Sequence, residues 1–142
     1  MTTRSTATPE LARDVRESLG LILRRLRAES DFPMSQMSVL GRLDRFGPAT
    51  TSELAVAERV RPQSMAQTVR ELEAAGWISR RPDPDDGRRA ILELTGEGLV
   101  RIEANRAARE DWLTQALERE LHAGEREQLS DALVLLRRLA DA

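Results

Sequence analysis

Apolar residues recur at helical spacing through the first half of the chain, at two-residue spacing over one short stretch, and at helical spacing again to the end. Leu11, Val15, Leu19, Ile22 and Leu26 lie four and three apart, with Leu23 widening the stripe, and predict a helix from about Glu10 to Ala28. Phe32-Pro33 ends it. Met37, Leu40 and Leu43 predict a second helix from Met34 to Phe46, opened by Ser35 and stopped by Gly47-Pro48. Thr50-Thr51-Ser52-Glu53 reads as a capping box before Leu54 and Ala55. After a turn at Glu58 to Arg61, Pro62 suits the first turn of another helix, whose core stripe is Met65, Val69 and Leu72. Gly76 can close it in a left-handed conformation.

The period then changes. From Trp77 to Thr95 the pattern is two short strands around the turn Pro82-Asp83-Pro84-Asp85-Asp86-Gly87, followed by Arg88 and Arg89. Ala90, Leu92 and Leu94 share one face, and Ile91 and Glu93 the other. Thr95 can cap a long helix to about Leu121, through Leu99, Ile102, Trp112, Ala116 and Leu117. Gly124 marks a break before a last helix holding Leu129, Ala132, Leu133, Leu136, Leu139 and Ala140. Val134 and Leu135 spread its apolar arc so wide that it needs a partner on more than one side.

A helix, a turn, a second helix and an arginine-tipped hairpin form the layout of a winged helix-turn-helix, whose second helix enters the major groove of DNA. Opposite its core stripe this second helix offers Gln63, Ser64, Gln67, Thr68 and Arg70. The stretch from Arg59 to Arg70 has three arginines and no acid. Gln63, Ser64 and Gln67 stand where side chains reach base edges; Thr51, Ser52 and Arg70 are better placed for phosphates. Arg61 and Pro62 open the same helix.

These motifs resemble those of the MarR (multiple antibiotic resistance regulator) family of transcription factors, over most of the chain. The resemblance rests on Ser52-Glu53-Leu54-Ala55, on Leu72-Glu73-Ala74-Ala75-Gly76, and on Asp83-Pro84-Asp85-Asp86-Gly87-Arg88 running on to Leu94-Thr95. It departs from the family pattern at Arg59, where a Gly is usual, at Arg61, where a small capping residue is usual, and at Gln67, where an Arg is frequent. The resemblance implies a mainly α fold with a two-stranded β wing. Residues 34–95 would be the DNA-binding domain, residues 10–31 and 96–142 a helical dimerisation region, and residues 1–9 a flexible tail. It implies that Arg88 enters the minor groove, that Asp86 holds the wing in shape, and that Arg89 lies beside them. It implies a homodimer through Leu11, Val15, Leu19, Ile22, Leu129, Leu133, Leu136 and Leu139, which represses by occupying a pseudo-palindromic duplex. It further implies release by a small aromatic or phenolic anion in a cleft of the first, second and fifth helices, with Arg16 meeting the carboxylate and Met37, Phe46 and Trp112 as apolar wall.

Composition narrows the alternatives. Net charge is −2, not that of a uniformly basic DNA binder, so any basic character is local. All 22 basic residues are arginine. Cysteine is absent, which excludes disulfides, thiolate metal sites and thiol redox sensing in this subunit. Tyrosine is absent too, and His122 is the only histidine, so nucleophile–base pairs have few candidates and no Gly-rich phosphate loop appears. His122 follows Glu118 by four residues, but a metal site needs three or four ligands. No cofactor or metal is expected. The polar start lacks the apolar core of a signal peptide and no run reaches a membrane span, so the expected place is the cytoplasm. The competing reading is a winged-helix protein-interaction module without sequence-specific DNA binding, since fold does not dictate function.

Overall fold

The computed structural model describes residues 7–142. Its elements run α1 (Thr8–Ala28), α2 (Met34–Phe46), β1 (Ala49–Thr50), α3 (Thr51–Glu58), α4 (Pro62–Ala74), β2 (Ile78–Pro82), β3 (Ala90–Leu94), α5 (Gly96–Glu120) and α6 (Ala123–Ala140). The helical periods and the single two-residue stretch thus became the elements they predict. Helix α1 starts at Thr8, ahead of the expected Glu10, because Pro9 sits in its first turn, where a missing N–H costs nothing. Thr8 and Pro9 therefore belong to a helix and not to a tail; the rest of the expected tail, up to residue 6, lies outside the described residues.

The hairpin of β2 and β3 gains a third strand. β1 pairs antiparallel with β3 (Ala49 opposite Leu92, Thr50 opposite Ile91), so the sheet order is β1-β3-β2. The expected two-stranded wing is thus part of a three-stranded sheet. β2 pairs with β3 from Ile78 opposite Leu94 to Pro82 opposite Ala90.

The caps differ from the sequence reading in detail. Thr50 Oγ1 accepts from the Glu53 amide at 3.2 Å and caps α3. Ser35 caps nothing: α2 opens from Pro33 without a side-chain cap. His122 caps α6, its Nδ1 accepting from the Glu125 amide while the Glu125 carboxylate accepts from the His122 amide. That reciprocal box gives the lone histidine a structural task.

Burial is concentrated in one lobe. Met37, Val39, Leu40, Leu43, Leu54, Ala55, Met65, Val69, Leu72, Ile78 and Leu92 form its core, and α5 contributes Ile102. No side chain of α1 or α6 is fully buried within the protomer, although Val15, Leu26, Ala132 and Leu136 are half-buried. The start of α5 is fixed to the lobe at close range. Thr95 donates its hydroxyl to the Gly76 carbonyl at 2.7 Å and accepts from the Gly98 amide. A Cβ at Gly98 would lie 2.0 Å from the Trp77 carbonyl oxygen, so only glycine fits. Among the described residues no helix is long and apolar enough to cross a membrane.

Candidate nucleic-acid interface

Helix α3 ends at Arg59, which adopts a left-handed conformation (φ 55°), and its amide donates to the Val56 carbonyl. This is the turn where glycine would be free of strain. Helix α4 follows with Pro62 in its first turn and with Met65, Val69 and Leu72 buried against α2 and α3. That fixed face leaves Arg61, Pro62, Gln63, Ser64, Gln67 and Arg70 exposed and Thr68 half-buried on the outer side. Arg61 gives α4 no side-chain cap, so the first amides of the helix stay open to solvent. Thr51 and Ser52 lie in the first turn of α3. The Thr68 hydroxyl donates to the Ser64 carbonyl at 3.2 Å.

Gln67 and Arg70 are not free side chains. Arg70 Nη2 donates to Gln67 Oε1 at 2.7 Å, and Gln67 Nε2 donates to Glu71 Oε1 at 3.0 Å. Glu71 Oε2 accepts from Gln36 Nε2 of α2 at 2.9 Å. The Gln67 and Gln36 amides together hold the Glu71 carboxyl below the usual glutamate value.

The wing is braced by acids from end to end. Arg80 makes two contacts to the Glu73 carboxylate of α4, at 2.6 and 3.3 Å, which tie β2 to the recognition helix; this pairing raises the Arg80 pKa further. Arg81 pairs with Glu93 across the strands at 2.5 Å. Arg89 lies 3.5 Å from Asp83 and 3.7 Å from Asp86. Asp86 Oδ1 accepts from the Arg88 amide at 3.0 Å and its carbonyl accepts from the Arg89 amide. Asp83 is buried, and its Oδ1 accepts from the Asp85 amide at 2.9 Å. The sequence reading gave the bracing to Asp86 alone; the buried Asp83 shares it. Its signal was present, since an Asp before Pro favours an Asx turn. Of the wing arginines, Arg88 alone makes no ion pair among the described residues.

The residues expected at a ligand cleft are brought together only in part within one protomer: Met37 and Phe46 line one hollow of about 380 Å³ along α2, without Arg16 or Trp112. Arg16 pairs with exposed Glu17 and borders an apolar hollow of about 500 Å³ between α1 and α6, beside Leu11, Val15, Leu19 and Leu139. Met37 is in the core, Phe46 is exposed beneath the Arg42 and Arg45 guanidiniums, and Trp112 lies under Arg25.

The geometry is that of a DNA-binding lobe with an unpartnered helical arm, and comparison with known proteins agrees. The MarR family model matches residues 32–90. An HTH-type transcriptional regulator of Mycobacterium bovis is 35% identical over 134 residues, covering 92% of this chain and 93% of that protein. The chain belongs to the MarR family. A Pseudomonas aeruginosa protein described as a transcriptional regulator shares 40% identity and superposes with a TM-score of 0.86, covering 100% of this chain and 99% of that one. The HTH-type transcriptional repressor NicR of Pseudomonas putida is 29% identical over 141 residues, covering 91% of this chain and 86% of that protein. As a MarR family member the chain is a DNA-binding transcriptional regulator of winged helix-turn-helix fold and not an enzyme.

Proposed function

We propose that this MarR family regulator is a homodimeric repressor that covers a pseudo-palindromic operator, with α4 in the major groove and the wing in the minor groove. The observation that carries this reading is the pairing of the wing arginines. Arg80, Arg81 and Arg89 are held by bracing acids, while Arg88, at the tip, has no acid partner among the described residues. A narrow minor groove concentrates negative potential and attracts such a guanidinium. Gln63, Ser64 and Gln67 then read base edges, while Thr51, Ser52, Arg61 and Arg70 serve phosphates.

The dimer half of the proposal rests on the bare apolar faces of α1 and α6. Leu11, Leu19, Ile22, Leu129, Leu133 and Leu139 are all at least 39% exposed in the protomer. A contiguous apolar surface of this kind marks an interface. A two-fold dimer places the recognition helices about 34 Å apart in successive major grooves. Release by a small aromatic or phenolic anion completes the reading. Such a ligand acts only by favouring a dimer whose recognition helices are wrongly spaced.

Selection from a library of randomised duplexes tests the proposal. Enrichment of a two-fold symmetric sequence with half-sites one helical turn apart is the expected result. Failure to enrich any sequence would favour the protein-interaction module instead.

A further inference from the structure

We propose that Glu71 is a positioning residue for base recognition: anchored by Gln36 of α2, its carboxylate fixes which way round the Gln67 amide meets a base. This rests on the reading of Gln67 as a base contact and adds to it two residues outside the groove-facing set.

The argument is one of donors and acceptors. A glutamine amide carries two N–H donors on nitrogen and two lone pairs on oxygen. A carboxylate only accepts, so Glu71 must face the Gln67 nitrogen; a guanidinium only donates, so Arg70 must face the oxygen. The observed contacts are these two, at 3.0 and 2.7 Å. A flipped amide would set oxygen against carboxylate and N–H against guanidinium, and is excluded. One N–H and one lone pair remain on Gln67. Adenine offers the matching pair in the major groove, the N7 acceptor and the N6 donor. Orientation of the amide therefore decides the order in which the two are met.

Glu71 can do this only if it is itself fixed. Its second oxygen takes the Gln36 amide, which comes from another helix and is half-buried. The same two amides favour the ionised carboxyl, so the clamp keeps its polarity at neutral pH. A carboxylate near phosphates opposes binding to every sequence alike. Glu71 therefore lowers general affinity while sharpening choice, and the two effects separate in one experiment.

That experiment compares wild type, Gln67→Ala, Glu71→Ala and Glu71→Gln on a randomised duplex library, together with affinity for one arbitrary, non-enriched duplex. A ¹⁵N spectrum of the free proteins follows the Gln67 side-chain amide, in which the proton bonded to the carboxylate is shifted and widens the ordinary separation of the two. The expected result is that Gln67→Ala flattens preference at one base pair per half-site and both Glu71 variants reduce preference at that same pair by at least about five-fold. Affinity for the non-enriched duplex holds or rises, and Glu71→Ala draws the two amide protons together. Wild-type preference in both Glu71 variants, beside a changed preference in Gln67→Ala, overturns the positioning role while leaving base reading intact. An equal loss of affinity for all duplexes, with a lowered melting temperature, assigns Glu71 a structural role and overturns it as well. Unchanged preference in Gln67→Ala means that Gln67 reads no base, and the proposal falls with that reading.

Discussion

Single residues settle where this fold is tight and where it is open. Gly98 is the tightest, since any Cβ there meets the Trp77 carbonyl at 2.0 Å. Gly98→Ala must push α5 away from the lobe, and a destabilisation of at least ~1–3 kcal/mol is expected in urea unfolding, the usual cost of overpacking. Unchanged stability would show that α5 does not seat there as described. Arg59 sits in a left-handed turn, so Arg59→Gly relieves backbone strain and should raise the unfolding midpoint slightly, while the β-branched Arg59→Val lowers it. Arg88 lies at the open extreme. Arg88→Ala should weaken DNA binding by roughly 1–3 kcal/mol without moving the melting temperature, because its side chain makes no ion pair among the described residues. Wild-type affinity at moderate salt would remove Arg88 from the groove.

Elements hold one another through polar contacts as well as through the apolar core. Glu58 at the end of α3 accepts from Ser38 at 2.8 Å and from Arg42 at 2.9 Å, both on α2. Burial pushes the Glu58 carboxyl up, but the Arg42 and Ser38 hydrogen bonds and the Arg42 charge outweigh it, and its pKa falls below the usual glutamate value. A carboxylate lowered on folding adds stability above its unfolded pKa, and that stability is lost as pH falls through the folded value. The α2–α3 contact should therefore weaken in the acid range, and Glu58→Gln should shrink the acid-dependent part of stability, as seen in melting curves between neutral and acid pH. An unchanged pH profile would deny the contact its role. At this scale the sequence was most legible where one period ran long: α1, α2, α4, α5 and the hairpin all stand where apolar spacing put them. β1 was not legible, because two residues carry no period and Ala49–Thr50 becomes a strand only by pairing with β3. The bracing acids were hidden for a similar reason. Glu73 meets Arg80 seven residues on, Glu93 meets Arg81 across the hairpin, and Gln36 reaches Glu71 over 35 residues, and such pairs form only once the fold brings them together.

The whole molecule is a buried lobe joined to an arm whose α1 and α6 have no fully buried side chain. The expected flexible start gave way to helix at Thr8 and Pro9, and in the wide apolar arc of α6 Leu133, Val134 and Leu135 are left bare while Leu136 is half-buried. Burying a leucine contributes ~1.5–3 kcal/mol, so Leu129→Glu with Leu133→Glu should dissolve the proposed dimer while the lobe, whose core uses neither residue, stays folded. Circular dichroism and sedimentation check the two halves of that statement. If a salicylate-like anion is an effector, saturating amounts should lower DNA affinity five-fold to about a hundred-fold, the usual range of allosteric coupling. A DNA titration that does not move at millimolar ligand would retire that class of effector. The central claim is that two copies of this chain present α4 and the wing to one duplex. Sedimentation of the library-enriched duplex with excess protein tests it most directly. A complex of one duplex with two chains of 15.9 kDa is predicted; a complex carrying a single chain, or no complex at all, would contradict it.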